Sequence, residues 1–318
     1  MIMSENKTKI AAIVGPTACG KTALSIDVAR RVGGEIICCD SMQVYRDMTI
    51  GTAAPTELEK AEVPHHLFGT VDPHLNFSSS DYAAAAEPII RNVISRGKLP
   101  ILVGGTGLYL DSLILGCGDA SAAPDEDFRR EMENFAAENG VDALHAWLRE
   151  KDPEAAEKIH PNNVKRVIRA LEICRFGDTK SGYDKRSRGD LRYDARVAGI
   201  FFPDRDLLYR RIERRIDEMI ENGLLDEAKT LEKAGVFDDS NGTAAQAIGY
   251  KEILPYIHGD EPLSASVERL KTATRHYAKR QITWFSAKNY ITRFDFAEPS
   301  DESGYEKLVG GVVELFEK

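Results

Sequence analysis

Gly15-x-x-x-x-Gly20-Lys21-Thr22, read GPTACGKT, has the residue types and spacing of a loop that grips a polyphosphate. Glycines let the backbone turn tightly, so that several N–H groups converge on one anion. Lys21 adds a mobile positive charge, and the Thr22 hydroxyl is a ligand type for Mg²⁺. The loop by itself does not say whether the anion is a nucleotide such as ATP or another polyphosphate.

Asp40 opens a second stretch, DSMQVYRDMTIGT (40–52), directly after the apolar run EIICC. An aspartate at a strand end can cap a following turn, ligate Mg²⁺ or act as a general base. A general base must reach the nucleophile's proton while ionised. Gly104-Gly105-Thr106 follows a third apolar run, PILV. Its glycines allow close backbone approach to a ligand. Thr106 offers either a hydroxyl to the same site or a cap to the next helix. His65-His66 has no third metal ligand at suitable spacing and reads as polar packing beside Pro64.

These residues need strand ends brought to one edge. Ile10–Val14, Glu35–Cys39, Pro100–Val103, Val197–Phe202 and Ile291–Phe296 are short apolar runs that read as buried strands. Helical patterns lie between them, at Thr22–Arg31 and Asp81–Arg96. The alternation implies an α/β fold with a parallel sheet covered on both faces. In such sheets ligands sit at the C-terminal strand edge, where the phosphate loop, Asp40 and Thr106 all fall. From 119 to 194 strand-like runs give way to helical stretches at Asp125–Glu138, Asp142–Lys151 and Asn163–Phe176. The expected organisation is a core of 1–118 and 195–318 with a helical insertion at 119–194. Gly177–Tyr193 is polar, basic and glycine-containing, and reads as a mobile loop.

The 318 residues carry a net charge of −9, with 42% hydrophobic and 29% charged residues, as in a globular protein. The acidic balance argues against indiscriminate nucleic-acid binding, but basic residues cluster locally. The clusters are Lys165, Arg166 and Arg169; Lys180, Lys185, Arg186 and Arg188; Arg205 to Arg215; and Arg269 to Arg280. From about Leu207, Leu208, Ile212, Ile216 and Met219 form a helical stripe flanked by Arg211 and Arg214. In Ser266–Trp284, Arg275 and Lys279 are i,i+4 neighbours, a row that can track a nucleic-acid backbone. Cys19, Cys38, Cys39, Cys117 and Cys174 form no C-x-x-C pair, so neither a disulfide framework nor a zinc site is implied. No apolar run reaches membrane-spanning length, and MIMSENKTKI is no signal peptide, so a cytoplasmic protein is expected.

With GPTACGKT, DSMQVYRDMTIGTAAPT (40–56), HHLFG (65–69), LVGGTGLYLDSLILG (102–116), HPNNVKRVIRALEI (160–173), AIGYKE (247–252) and ATRHYAKRQITWF (273–285), the chain resembles the tRNA dimethylallyltransferases, also called tRNA isopentenyltransferases. The resemblance implies a P-loop NTPase-like core with an inserted helical domain that contacts tRNA. It implies transfer of a dimethylallyl group from dimethylallyl diphosphate, with Mg²⁺, to the exocyclic N6 amine of an adenine. That adenine lies 3′ of the anticodon in tRNAs reading codons that begin with U.

Gly15, Thr17, Ala18, Cys19, Gly20, Lys21 and Thr22 then hold the diphosphate, and Thr22 the metal. Asp40 matches the base, Thr106 a residue positioning the flipped adenine, and Arg211 a diphosphate-binding arginine. Asp40, Ser41, Met42, Gln43, Thr106, Lys165, Arg166, Val167, Ile168 and Arg169 match tRNA-contacting positions, to which the Arg275 and Lys279 row is added. A monomer acting on the anticodon stem-loop is expected. Cys19 departs from the usual serine, and Gly177–Tyr193 from the usual sequence. A small-molecule kinase using ATP and a non-catalytic RNA-binding protein are the competing readings. The basic C-terminal half and the helical insertion argue against the first; intact Lys21, Thr22, Asp40 and Thr106 argue against the second.

Overall fold

A computed structural model describes residues 7–116, 125–177, 179–182, 191–239 and 242–318. MIMSEN, Cys117, Lys185, Arg186, Arg188 and much of the expected mobile loop lie outside these residues. Within that loop, residues 180–182 are helical, and the Ser181 N–H donates to Asp152 Oδ2 at 2.8 Å.

The chain divides into two compact units, 1–110 with 193–318 and 111–192, where the change of sequence texture placed the division nearer 119 and 194. The first unit is built on a six-stranded parallel sheet of order β3-β2-β4-β1-β5-β6. The strands are β1 (Lys9–Val14), β2 (Gly34–Cys38), β3 (His65–His66), β4 (Leu99–Gly104), β5 (Asp194–Phe201) and β6 (Ile291–Asp295). The expected five runs are all present. The sixth strand, at His65-His66, was not expected: Ile36 pairs with His65, and the Ile36 N–H donates to Pro64 O at 2.9 Å. Two residues are too few to show a strand's periodicity.

β1 lies near the centre and is buried along Ile10–Val14. On one side of the sheet, Ile13, Leu24, Val28, Ile101, Ile200, Val312 and Phe316 share one core cluster. Val14 pairs with Gly104 and Cys38 with Val103, so β1, β2 and β4 end at one level. That register sets the phosphate loop, Asp40 and Gly105-Thr106 side by side.

The second unit is helical: Glu126–Asn139, Val141–Lys151, Pro153–Lys158 and Val164–Arg175. Met132, Leu144, Leu148, Val167, Ile168 and Leu171 form its core. Glu172, fully buried there, accepts from the Asp125 N–H and from Arg129, and pairs with Arg169. A buried carboxylate needs such partners to offset its lost hydration.

Candidate active site

Residues 15–20 link β1 to the Lys21–Val32 helix. Gly20 caps that helix at φ 75°, and Ala18 adopts φ 61°, a left-handed turn that aims successive N–H groups inward. Lys21 Nζ donates to Gly15 O at 3.1 Å and Pro16 O at 2.8 Å, which sets the ammonium against the loop. Thr17 to Thr22 line a cavity of about 310 Å³. Cys19 is buried, and its Sγ accepts from Lys21 Nζ at 3.7 Å.

Asp40 to Gln43 line the same cavity. Asp40 Oδ1 accepts from the N–H of Met42 at 3.0 Å and of Gln43 at 3.4 Å. The carboxylate therefore does cap a turn, and it does so with one oxygen. Thr106 stands beside it: its Oγ1 accepts from the Ser41 N–H at 2.9 Å and donates to Ser41 Oγ at 3.2 Å. Gly104 and Gly105 are required for closeness. A Cβ on Gly104 would lie 1.9 Å from Cys39 O, and one on Gly105 would lie 2.2 Å from Gln281 Nε2.

Arg211, on the Arg205–Glu221 helix, reaches the cradle from across the sheet edge. Its Nε donates to Ala18 O at 2.9 Å, and its Nη1 pairs with Glu298 Oε2 at 2.7 Å. The guanidinium lies 4.6 Å over the Phe296 ring, which stacks on Phe202. Arg214, expected to flank the helical stripe, is exposed. Arg215 lines the cavity instead, because residues four apart share a helix face with Arg211. Its Nη2 donates to Thr52 O at 3.3 Å, and its buried Nε has no partner among the described residues. Burial pushes this guanidinium below the ordinary arginine range, and the Asp40 charge opposes the shift.

The Leu263–Ser286 helix supplies residues that sequence reasoning missed as site residues. Gln281 Oε1 accepts from the Thr17 N–H at 2.8 Å, and its Nε2 donates to Gly105 O at 2.9 Å. Tyr277 lines the cavity; burial raises its phenol above the usual range, and hydrogen bonds to Thr106 and Gln281 oppose that shift. Both sit in ATRHYAKRQITWF, and their partners lie far away in sequence. The Arg275–Lys279 row splits. Arg275 is tied to Glu213 Oε1 at 2.7 Å and to Thr272, whereas Lys279 is exposed.

His65 also lines the cavity. Its Nδ1 bonds Val63 O at 2.8 Å, its Nε2 is buried without a partner among the described residues, and burial holds the imidazole below its usual range. No group of three His, Cys, Asp or Glu among the described residues is arranged to hold a metal. The hard oxygens at hand are the Thr22 hydroxyl and the Asp40 carboxylate. That set fits Mg²⁺ shared with a substrate's phosphates rather than an all-protein cage.

On the helical unit, Lys165 and Arg166 are exposed. Val167 and Ile168 are a correction: both are buried in that unit's core, so their side chains form no RNA-facing surface. Arg169 is half-buried against Glu172. In a helix where one face packs inward, only the residues of the opposite face in each turn reach solvent.

Two family models match the chain: "IPP transferase" over residues 43–288 and "Isopentenyl transferase" over 8–65. A tRNA dimethylallyltransferase of Bacillus subtilis is 47% identical over 300 residues, 94% of each chain. One from Caldanaerobacter subterraneus is 45% identical over 309 residues, 96% of each. The crystal structure of a tRNA isopentenylpyrophosphate transferase from Bacillus halodurans is similar at TM-score 0.70 and 43% identity, covering 98% of this chain and 97% of that one. A eukaryotic dimethylallyltransferase captured acting on tRNA is similar at TM-score 0.78 and 31% identity, over 94% of this chain and 77% of that one.

Proposed function

The chain belongs to the tRNA dimethylallyltransferase family, and on that premise we propose how its residues carry the reaction. It is a prenyl-transferring enzyme of tRNA modification. The donor we assign is dimethylallyl diphosphate, and the acceptor the N6 amine of the adenine 3′ of the anticodon in tRNAs reading U-starting codons. The observation that carries the reading is one cavity shared by a phosphate cradle and a carboxylate, Thr17–Thr22 and Asp40–Gln43.

Ala18 to Thr22 receive the diphosphate on backbone N–H groups, with Lys21 and Arg211 meeting its charge. Thr22 would help to hold Mg²⁺, which would neutralise charge on the leaving group. The adenine must leave its stack to present N6, and Thr106 with Ser41 and Gln43 orients it. As N6 bonds to the prenyl C1, the C1–O bond to diphosphate breaks, and Asp40 takes the N6 proton. Tyr277, Ile212, Ile216 and Leu270 on the cavity wall exclude water from the allylic carbon.

We assign the anticodon arm to the helical unit through Lys165 and Arg166, with Lys279 a further phosphate contact. We propose that the chain acts as a monomer. A tRNA substrate supports action in the cytoplasm. No helix among the described residues is long and apolar enough to cross a membrane.

The test is incubation with unmodified tRNA, Mg²⁺ and labelled dimethylallyl diphosphate. Label should enter the RNA at that adenine. Steady ATP turnover without tRNA, and no label in RNA, would overturn the reading in favour of a kinase.

A further inference from the structure

Glu227 lies outside every stretch that carries the family resemblance, yet its carboxylate receives an unusual number of donors. Its oxygens accept from the N–H of Thr49 at 3.0 Å, of Ile50 at 2.8 Å and of Gly51 at 2.9 Å. The Thr49 hydroxyl adds a fourth donor at 2.8 Å, and the Tyr250 hydroxyl a fifth at 2.7 Å. Three consecutive backbone N–H groups directed at one anion form a nest, here filled by the protein's own side chain. Tyr250 is fully buried, and its ring lies against Gly51, where an added Cβ would meet Cζ at 2.5 Å.

Holding the N–H groups on one side turns the next carbonyls to the other. The Thr52 and Ala53 carbonyls each accept from Gln43 Nε2 at 3.0 Å, and Thr52 O also accepts from Arg215. Two carbonyl acceptors require the amide nitrogen there, so the Gln43 amide has one allowed orientation. Its oxygen is left as the remaining polar end of a residue that lines the cavity.

We propose that Glu227, held by Tyr250, is a positioning residue for adenine recognition: it fixes loop 49–53, and through it the Gln43 amide and Arg215. The proposal rests on tRNA being the acceptor substrate. It gives AIGYKE a task, since Tyr250 is its aromatic residue. Burial raises the Tyr250 phenol and keeps it a donor to the carboxylate.

The experiment measures kcat, the KM of tRNA and of prenyl donor, thermal stability, and equilibrium binding of the unmodified anticodon stem-loop. Glu227→Gln loses the charge and sets an N–H donor against the nest. The KM of tRNA and the stem-loop Kd should both rise about tenfold, as expected for loss of a hydrogen bond to a charged group. The prenyl-donor KM should stay within about twofold. Tyr250→Phe removes one hydroxyl and should move the same two constants in the same direction by less. The double variant should be no worse than Glu227→Gln, because the two act as one unit. Unchanged tRNA constants in both variants, or equal changes in both substrates' KM, overturn the proposal. If Glu227→Gln does not fold, Tyr250→Phe decides. If the wild-type chain transfers no prenyl group, the reaction is wrong, and stem-loop binding alone judges the clamp.

Discussion

The Thr17 N–H donates to the side-chain oxygen of Gln281, 264 residues away, at 2.8 Å. The same amide donates from its nitrogen to Gly105 O at 2.9 Å. One buried side chain therefore joins the phosphate loop to the loop after β4. Gln281→Ala leaves the Thr17 N–H and the Gly105 carbonyl without their partner. Loss of stability should be about 1–3 kcal/mol. The KM of the prenyl donor should also rise, because the cradle loses its brace. Thermal melting and donor titration check this; a lower melting temperature with an unchanged donor KM would confine Gln281 to stability.

Lys21→Ala and Arg211→Ala should each slow transfer at saturating donor. Both cations sit on the cradle, Lys21 on the Gly15 and Pro16 carbonyls and Arg211 on the Ala18 carbonyl. Removing one cation from developing negative charge costs on the order of 3 kcal/mol, or about a hundredfold in rate. Single-turnover rates measure it, and wild-type rates in both variants would remove these residues from the leaving-group site.

The helical unit separates surface from core within one short segment. Charge reversal at Lys165 and Arg166 should weaken tRNA binding and flatten its salt dependence, by about 0.9 in slope for each phosphate that is no longer neutralised. Donor binding should not change. Val167→Ala should instead lower stability by about 0.5–3 kcal/mol with an unaltered salt slope, since Val167 is buried. Equal salt slopes for wild type and the reversal variant would take the segment off the RNA.

Glu35, buried at the start of β2, is bonded by Arg96, whose Nη2 donates at 2.7 Å, and by His66 Nε2 at 2.8 Å. The Arg96 hydrogen bond, with help from His66, holds this carboxyl below the ordinary glutamate range. A lowered folded pKa means that the stability it adds is present above the unfolded value and lost as pH falls through the folded one. Glu35→Gln should therefore be less stable than wild type near neutrality, with the gap closing as pH falls below about 4.5. Denaturant midpoints across that range test it; a gap that stays constant into acid would deny the ion pair its role.

The sheet and the cradle were legible because both are short-range signals. An apolar run announces a buried strand, and GPTACGKT holds its chemistry within one turn. Asp40 and Thr106 were legible because a parallel sheet sends successive strand ends to one edge. Gln281, Arg215 and Glu227 were not, since each acts through a partner far away in sequence. Their helices show an apolar stripe whatever the polar residues beside it do. Val167 and Ile168 misled for the opposite reason: a matching segment is contiguous in sequence, but a helix turns half of it inward. His65-His66 was missed as a strand because its order comes from pairing with β2, not from its own pattern.

Asp40→Asn should leave both substrates bound and nearly stop transfer. An exocyclic adenine amine is a poor nucleophile, because its lone pair is delocalised into the ring. A carboxylate within hydrogen-bond reach accepts the proton as the new bond to carbon forms. The turn after β2 sharpens the test. Asp40 uses Oδ1 to receive the Met42 and Gln43 N–H groups, and the asparagine oxygen can receive both. Loop 41–43 and the Thr106–Ser41 contact should therefore survive the substitution, so a slower rate reports chemistry rather than collapse of the site. Removing general-base help costs roughly a hundred- to ten-thousandfold. Metal ligation by the same carboxylate makes a different prediction: lowered donor or Mg²⁺ affinity, with recovery at high Mg²⁺. Single-turnover rates for Asp40→Asn across a Mg²⁺ series separate the two, and rescue by metal would move Asp40 from proton transfer to the phosphate site.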